Sequence, residues 1–387
     1  MDRLNELIQE LCPNGVAFVQ IKDIADISIG EFVHKNKQVP NGKYPVYNGG
    51  TTYTGFYDEW NRQGNQIIIS ARGNAGFVNR VYTKFWSGNS CYTVTVDAQK
   101  ADWSYVYYAV KNSEKALQNI QQKGGIPAVS KKQVENLRIP FPPLPVQEEI
   151  VRILDSFTEL TAELTAELTA RRKQYEYYRD ELLMSAPKAI PTKLRDLCSF
   201  YNGDRGKNYP KASELVENGI PFVNAGDVDG HVDYIGCNKI TPEKYQSLNG
   251  AKLQQHDILY CLRGSTGKSG IYEMDSGTIA SSLVAIRANE KVNYKYLYYL
   301  LNSSMELKQR IKSDTGAAQP NLSVQSIGAY EFAVPSHTEQ QRIISILDCF
   351  DALCNNLTSG LPAEIAARQK QYEYYRDKLL TFKELEG

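Results

Sequence analysis

Residues Ala170 to Leu183 read ARRKQYEYYRDELL, and residues Ala367 to Leu380 read ARQKQYEYYRDKLL, with 12 of 14 positions identical. Chance does not produce that match 197 residues apart, so the chain carries an internal repeat, and the repeat decides the architecture. Upstream, Val129 to Leu160 aligns without gaps on Leu322 to Leu353. The alignment keeps Ser130/Ser323, Pro142/Pro335, Gln147/Gln340, Ile150/Ile343, Leu154/Leu347, Asp155/Asp348 and Phe157/Phe350. Further back the similarity thins. Arg72-Gly73 with Gly76 matches Arg263-Gly264 with Gly267, and YVYY from Tyr105 matches YLYY from Tyr296. Each unit therefore has a variable front and a near-constant back.

The two parts also differ in periodicity. The fronts read as mixed α/β: short β-rich runs such as QIIIS (66–70), CYTVTV (91–96), DILYC (257–261) and SLVAI (282–286) are separated by turns rich in Gly, Asn and Asp, with a Tyr-rich helix following. The backs begin after proline stops, FPPLP at 141–145 and VPS at 334–336. Apolar residues then recur at threes and fours, from Ile150 through Ile153, Leu154, Phe157, Leu160, Leu164 and Leu168, and from Ile343 through Ile346, Leu347, Phe350 and Leu353. These are long amphipathic helices, and two in one chain bury their stripes most simply as a coiled coil. The first contains a tandem repeat: Thr158-Glu-Leu, then TAEL at 161–164 and at 165–168, then Thr169-Ala. One such unit adds about 6 Å of helix, comparable to one or two base-pair steps of about 3.4 Å each. The second helix lacks this segment and carries Ser359-Gly360-Leu-Pro362 instead, so a new helix or a kink is expected there.

Composition excludes several classes. At 387 residues the chain is long enough for two or three domains, and no apolar run approaches a membrane span. The N-terminus, MDRLNELIQEL, is acidic and amphipathic, so no secretion signal and a cytoplasmic location are expected. Seven scattered cysteines without a CxxC pair argue against both a disulfide framework and a zinc site. Formal net charge is zero, but Asn14 to Pro140 holds 15 basic and 9 acidic residues and Pro191 to Pro335 holds 16 and 15. The remainder, mostly helix, holds 13 and 20, which suits fronts that meet phosphate and helices that meet protein. Gly264-Ser-Thr-Gly-Lys-Ser269 resembles a phosphate loop but fails on spacing, since position 262 is Leu262. The four histidines are dispersed and do not match between halves, and no GxSxG or glycine-rich cofactor motif occurs, so neither a catalytic nor a metal site is expected.

What both fronts share is a strand, an Arg-Gly turn and a second strand, IIISARGNAG and ILYCLRGSTG. As a DNA-facing loop, it would use Arg72 and Arg263 on phosphate or guanine, with Asn74, Ser265, Thr266 and Lys268 adding hydrogen bonds. An arginine that merely closes a glycine hairpin onto a carboxylate fits the pattern equally well. Sequence choice is expected of residues that differ between halves: Lys35, Tyr47, Asn48 and Tyr53 in the first front, and Arg205, Asn208, Asn224 and His231 in the second. The segments 123–128 and 315–321, the latter with Gln319 and Asn321, are further loop candidates.

Two variable α/β units alternating with QYEYYRD-tailed helices and TAEL repeats resemble the specificity subunit of a type I restriction-modification enzyme. The helix entries PLPVQEEIVRILD and SHTEQQRIISILD and the run SGLPAEIAA (359–367) carry the same resemblance, which covers essentially the whole chain. It implies an α+β fold: two mixed α/β target recognition domains in pseudo-twofold repeat, separated by two long antiparallel helices forming a coiled coil. The expected divisions are 1–145 and 188–336 for recognition, and 146–187 and 337–387 for the helices. It further implies a protein that is not an enzyme by itself, whose domains each read one half of a split site in double-stranded DNA. Two modification subunits, which methylate adenine with S-adenosylmethionine, and two motor-nuclease restriction subunits using ATP and magnesium are the implied partners, with no cofactor in this chain. Tyr175, Tyr178 and Arg179, matched by Tyr372, Tyr375 and Arg376, suit two equivalent docking faces, although the tyrosines serve equally to seal the helix pair. The rival reading is a tandem-repeat scaffold that binds proteins or small ligands and uses the coiled coil as a spacer. An autonomous nuclease or methylase would need motifs that are absent from the sequence.

Overall fold

The strand Gln66–Ser70 shows how each front is built. Alternate residues of a strand point to opposite faces: Ile67 and Ile69 enter one core beneath the helix Trp103–Asn112, whereas Ile68 enters a second core with Phe85 and Cys91. The strand Ile258–Cys261 divides its side chains in the same way, Ile258 and Tyr260 to one side and Leu259 and Cys261 to the other. A run that is apolar without alternation is thus a strand buried on both faces.

The computed structural model describes residues 2–120, 127–313, 321–355 and 360–385. The chain divides into two compact units, Met1–Thr165 with Glu364–Gly387, and Ala166–Ala363. In the first, an antiparallel sheet runs in the order Ala25–Ile29, Cys91–Val96, Gln66–Ser70, Val78–Val81. Its counterpart in the second is Cys198–Asn202, Leu283–Ala288, Ile258–Cys261, Ser269–Ile271. A smaller sheet, Gly55–Tyr57, Tyr44–Tyr47 and Trp86–Ser87, ends in a parallel pair. Asn238–Ile240, Ile220–Val223 and Thr278–Ile279 repeat it, parallel pair included, with Leu215–Val216 added at the edge. The ribbon of Ala17–Gln20 with Arg138–Phe141 recurs as Ile190–Lys193 with Glu331–Val334.

The residues kept between halves have structural roles. The Tyr-rich helices, Trp103–Asn112 and Tyr294–Leu301, are capped by Asp102 and Asn293, whose side chains accept the Tyr105 and Lys295 amides. Tyr105 and Tyr296 are fully buried, and their hydroxyls reach the carbonyls of Pro140 and Ala333. Buried Gln147 accepts the Asp102 amide at 3.0 Å and donates to the Pro142 carbonyl at 2.8 Å; Gln340 does the same with Asn293 and Pro335 at 2.8 and 3.0 Å. Each glutamine therefore satisfies backbone groups that burial would otherwise strand, and fixes the start of the constant helix against its front.

The first constant helix is continuous from Leu144 to Met184, about 60 Å at about 1.5 Å per residue. The second is not one rod. His337–Asn355 and Leu361–Leu379 are separate helices, in keeping with the new helix or kink expected at Ser359-Gly360-Leu-Pro362. Gly360 has φ +88°, and a Cβ there would lie 2.7 Å from the Ala352 carbonyl oxygen, so only glycine folds back over the end of the first piece. Pro362 then sits in the opening turn of the second piece, where a missing amide costs nothing. Within the first unit Phe157 stacks on Tyr375 at 5.3 Å, and within the second Phe350 stacks on Tyr178 at 6.1 Å.

Candidate nucleic-acid interface

The Arg-Gly turns are built identically in both fronts. Gly76 donates to the Ser70 carbonyl at 2.7 Å, and Gly267 donates to the Cys261 carbonyl at 3.0 Å. Gly73 and Gly76 have φ of +76° and +83°, and Gly264 and Gly267 have +76° and +86°, conformations that leave no comfortable place for a Cβ. On one side the turns hold the Ser90 and Ser282 carbonyls through Ala71 and Leu262. On the other, Val129 donates to the Ala71 carbonyl and Leu322 to the Leu262 carbonyl, both at 2.9 Å. The turn is thus a rigid frame that presents an exposed Arg72 or Arg263 at one fixed place.

The frame is constant and its surroundings differ. Arg72 bridges Ala128, a residue without a polar side chain, whereas Arg263 bridges Asn321 and donates from Nε to its Oδ1 at 3.0 Å. Among the described residues neither arginine forms an ion pair with a carboxylate. In the first front the loop after Tyr47 lies against the turn. Asn74 donates to the Gly49 carbonyl and Ser70 to that of Gly50. Asn74 and Lys35 are exposed, and Tyr53 is 51% exposed with its ring against Phe56. Tyr47 and Asn48 are half-buried: the Tyr47 ring packs edge-on against Phe85 at 5.8 Å, and Asn48 Oδ1 accepts the Ser90 amide. Both contacts hold the loop in place.

The second front forms an open groove of about 650 Å³ that brings Arg205, Arg263 and Asn321 together with Asn202, Asp204 and Asn249. Asp204 is engaged by the Asn249 and Gly250 amides, which leaves Arg205 exposed at the rim. Asn208, His231 and Ser265 are exposed as well, His231 with Nδ1 3.0 Å from the Asp229 carbonyl, and Thr266 is half-buried. Lys268 is exposed but paired with Asp229 at 2.9 Å. Asn224 sits at the structural place of Asn48, half-buried, and its amide nitrogen donates to the Phe222 carbonyl. Gln319 lies outside the described residues, as do 123–126 and 315–320. One residue that the sequence did not single out is Arg310: a Cβ on Gly267 would lie 2.4 Å from its Nε, so its guanidinium supports the turn from below. Arg310 is held by buried Glu306 at 3.0 Å, and Glu306 also accepts the Tyr260 hydroxyl. Burial pushes the Glu306 carboxyl above its ordinary range, while Tyr260 and Arg310 pull it down.

On the helices, Tyr175 is 8% exposed and lies inside the second unit's core, with Arg179 over its ring at 5.6 Å. Tyr372 packs on the first unit's core under Arg376 at 5.8 Å. Arg179 and Arg376 are paired with the neighbouring Asp180 and Asp377. Tyr175 and Tyr372 thus pack within their own units, in the sealing role that the sequence left open beside docking. Tyr375 is half-buried on Phe157, and Tyr178 remains exposed. The most exposed rings of the two tails are the neighbours, Tyr177 at 64% and Tyr374 at 61%, each edge-on to the next tyrosine at 5.4 Å. The sequence contained the signal, since YEYY repeats whole, but not the phase of the helix.

Burial pushes the thiols of Cys91 up to about 11 and of Cys198 and Cys261 up to about 12, so these stay protonated and inert at neutral pH. Among the described residues no three His, Cys, Asp or Glu side chains group as metal ligands, and no helix is long and apolar enough to cross a membrane.

Comparison with known proteins gives a consistent result. The type I restriction modification DNA specificity domain matches residues 13–171 and again 191–367. The specificity subunit of a type I restriction enzyme of Escherichia coli is 36% identical over 303 residues, covering 74% of this chain and 72% of that one. A putative type I restriction enzyme specificity subunit of Haemophilus influenzae is 31% identical over 358 residues, 88% of this chain and 89% of that one. Among solved structures, the S subunit of a type I restriction-modification system of M. genitalium superposes with a TM-score of 0.60 at 21% identity, covering 95% of this chain and 96% of that one.

Proposed function

The chain belongs to the type I restriction-modification DNA specificity family, and from that premise we propose that each of its two fronts reads one half of a split DNA site. As a specificity subunit it recognises DNA and does no chemistry of its own; catalysis is left to the other subunits with which it assembles. The observation that carries the reading is the Arg-Gly frame, built twice on the same sheets with different residues around it. A constant frame suits contact with the constant part of DNA, the phosphates, and the residues that differ around it, among them the Asn321 that tethers Arg263, suit contact with base edges. Recognition is assigned to 1–145 and 188–336, and spacing and docking to 146–187 and 337–387.

In the first front the contacts are assigned to Lys35, Tyr53, Arg72 and Asn74. In the second they are assigned to the groove residues Arg205, Arg263 and Asn321, with Asn208, His231, Ser265, Thr266 and Lys268 along the rim. Two copies of an adenine-methylating modification subunit, using S-adenosylmethionine, dock on the two helix tails, and two restriction subunits using ATP and magnesium complete a cytoplasmic complex. The exposed Tyr177 and Tyr374, at equal places in the two tails, are the docking contacts. Replacing both with alanine is expected to weaken retention of the modification subunit by about 2 kcal/mol at each face, read by co-purification; undiminished retention would place docking elsewhere.

DNA recognition is tested on the complex with its modification subunit. Its retention on duplex DNA is expected to fall steeply between low and physiological salt, because neutralised phosphates release counterions. Retention that ignores salt would argue for a scaffold.

A further inference from the structure

Asp155 and Asp348 occupy equal positions in the two copies of the constant helix, 193 residues apart. Each carboxylate accepts a hydrogen bond from the Tyr-rich helix of its own front, Asp155 from the Tyr108 hydroxyl and Asp348 from the Tyr299 hydroxyl, both at 2.6 Å. Each is also paired with a cation, but the cations come from unrelated places. Asp155 takes Arg80, at 3.0 Å, from the strand that leaves the Arg-Gly turn, and Asp348 takes Lys295, at 2.6 Å, from the first turn of a helix. The two halves have thus kept the tyrosine and the carboxylate and replaced the cation. Burial raises both tyrosine hydroxyls above their ordinary range, which keeps them protonated and donating.

Core burial does not explain these aspartates, whose side chains remain 34% and 37% exposed. Around them the front meets its helix mainly through apolar packing, as at Ile150 and Leu154 or Ile343 and Leu347. Apolar packing is non-directional and tolerates a small rotation of one element on the other. A short charge-assisted hydrogen bond does not. In the first unit the bond also reaches the reading turn: Arg80 lies four residues beyond Gly76, with its guanidinium enclosed by the rings of Tyr82, Tyr107 and Tyr108 at 4.8 to 5.1 Å. Asp155 itself lies three residues before the tandem segment that begins at Thr158.

We propose that Asp155 and Asp348 are positioning residues that lock each reading front onto its helix, and so set how strictly the complex measures the gap between half-sites. They touch no DNA. The inference rests on the proposed function, and its test separates the two. The complex is expressed in cells with wild-type chain, Asp155→Ala, Asp348→Ala, Tyr108→Phe or Tyr299→Phe, and modified sites are mapped by methylation-aware sequencing. Each variant is expected to keep both half-sites and to lose about ten-fold in discrimination against gaps one base pair longer or shorter, the scale of one charge-assisted hydrogen bond. The phenylalanine variants keep the buried ring and remove only the donor. A Tyr108→Phe and Tyr299→Phe pair that modify only the wild-type gap overturn the proposal, even if the aspartate variants fail to fold. A change of base preference within a half-site overturns it as well. A wild-type chain that directs no split motif counts against the proposed function instead.

Discussion

Deleting Thr165 to Leu168 shortens the gap between the two half-sites by one or two base pairs and leaves the half-sites themselves unchanged. The helix is continuous through this segment, so removing four residues shortens it by about 6 Å and rotates its C-terminal part by about 40° around the helix axis. The segment tolerates this because it commits little to any core. Leu160, Leu164 and Leu168 are only half-buried, Ala162 and Ala166 are exposed, and Thr161 and Thr165 bond back to the carbonyls four residues earlier. A one-unit deletion therefore brings Thr169-Ala170 to where Thr165-Ala166 stood and keeps the TAEL copy at 161–164, and the one core contact it removes is that of half-buried Leu168. Mapping of modified sites decides the matter: an altered half-site with an unaltered gap would mean that the tandem segment is no ruler.

Replacing Arg72 and Arg263 together with alanine lowers affinity for the specific site by about 4 kcal/mol, roughly a thousandfold, at about 2 kcal/mol for each guanidinium. The losses should add, because the two arginines belong to different units and share no partner. Both are exposed on turns held by backbone hydrogen bonds, so the thermal midpoint should stay within about 1 °C. Arg263 is tethered to Asn321 and Arg72 faces Ala128, so the single changes should differ in kind. Arg263→Ala should relax base choice at one position of the second half-site, as expected of a fixed fork. Arg72→Ala should weaken binding evenly and reduce the salt slope by about one, as expected of a phosphate contact. Titration of labelled duplex at several salt concentrations measures both; a double variant within twofold of wild type would show that the arginines serve the turn alone.

Much of this architecture was legible in the sequence, because the repeat is written in residues whose roles are local. Gly73, Gly76, Gly264 and Gly267 mark the turns by their required φ, Gly360 and Pro362 mark the break in the second helix, and leucines at four-residue spacing mark the first. The candidate site was legible only where exposure follows from a turn, as at Arg72, Arg205 and Arg263. What pairs across the fold was not. Tyr47 and Asn48 look like surface turn residues until the parallel pair with Trp86–Ser87 places them beside Phe85 and Ser90. Tyr175 and Tyr177 differ only in helical phase, which is set by the core they pack on. Arg310 reaches Gly267 across 43 residues, and Tyr108 reaches Asp155 across 47; no local pattern announces either contact.

The most direct test of split-site recognition is methylation-aware sequencing of DNA from cells that co-express the chain with its modification subunit, against cells that lack only the chain. The expected result is a two-part adenine-methylated motif, with unlike halves and a fixed gap, present only with the chain. An intact complex with an active modification subunit that yields no such motif, or the same motif without the chain, would contradict it.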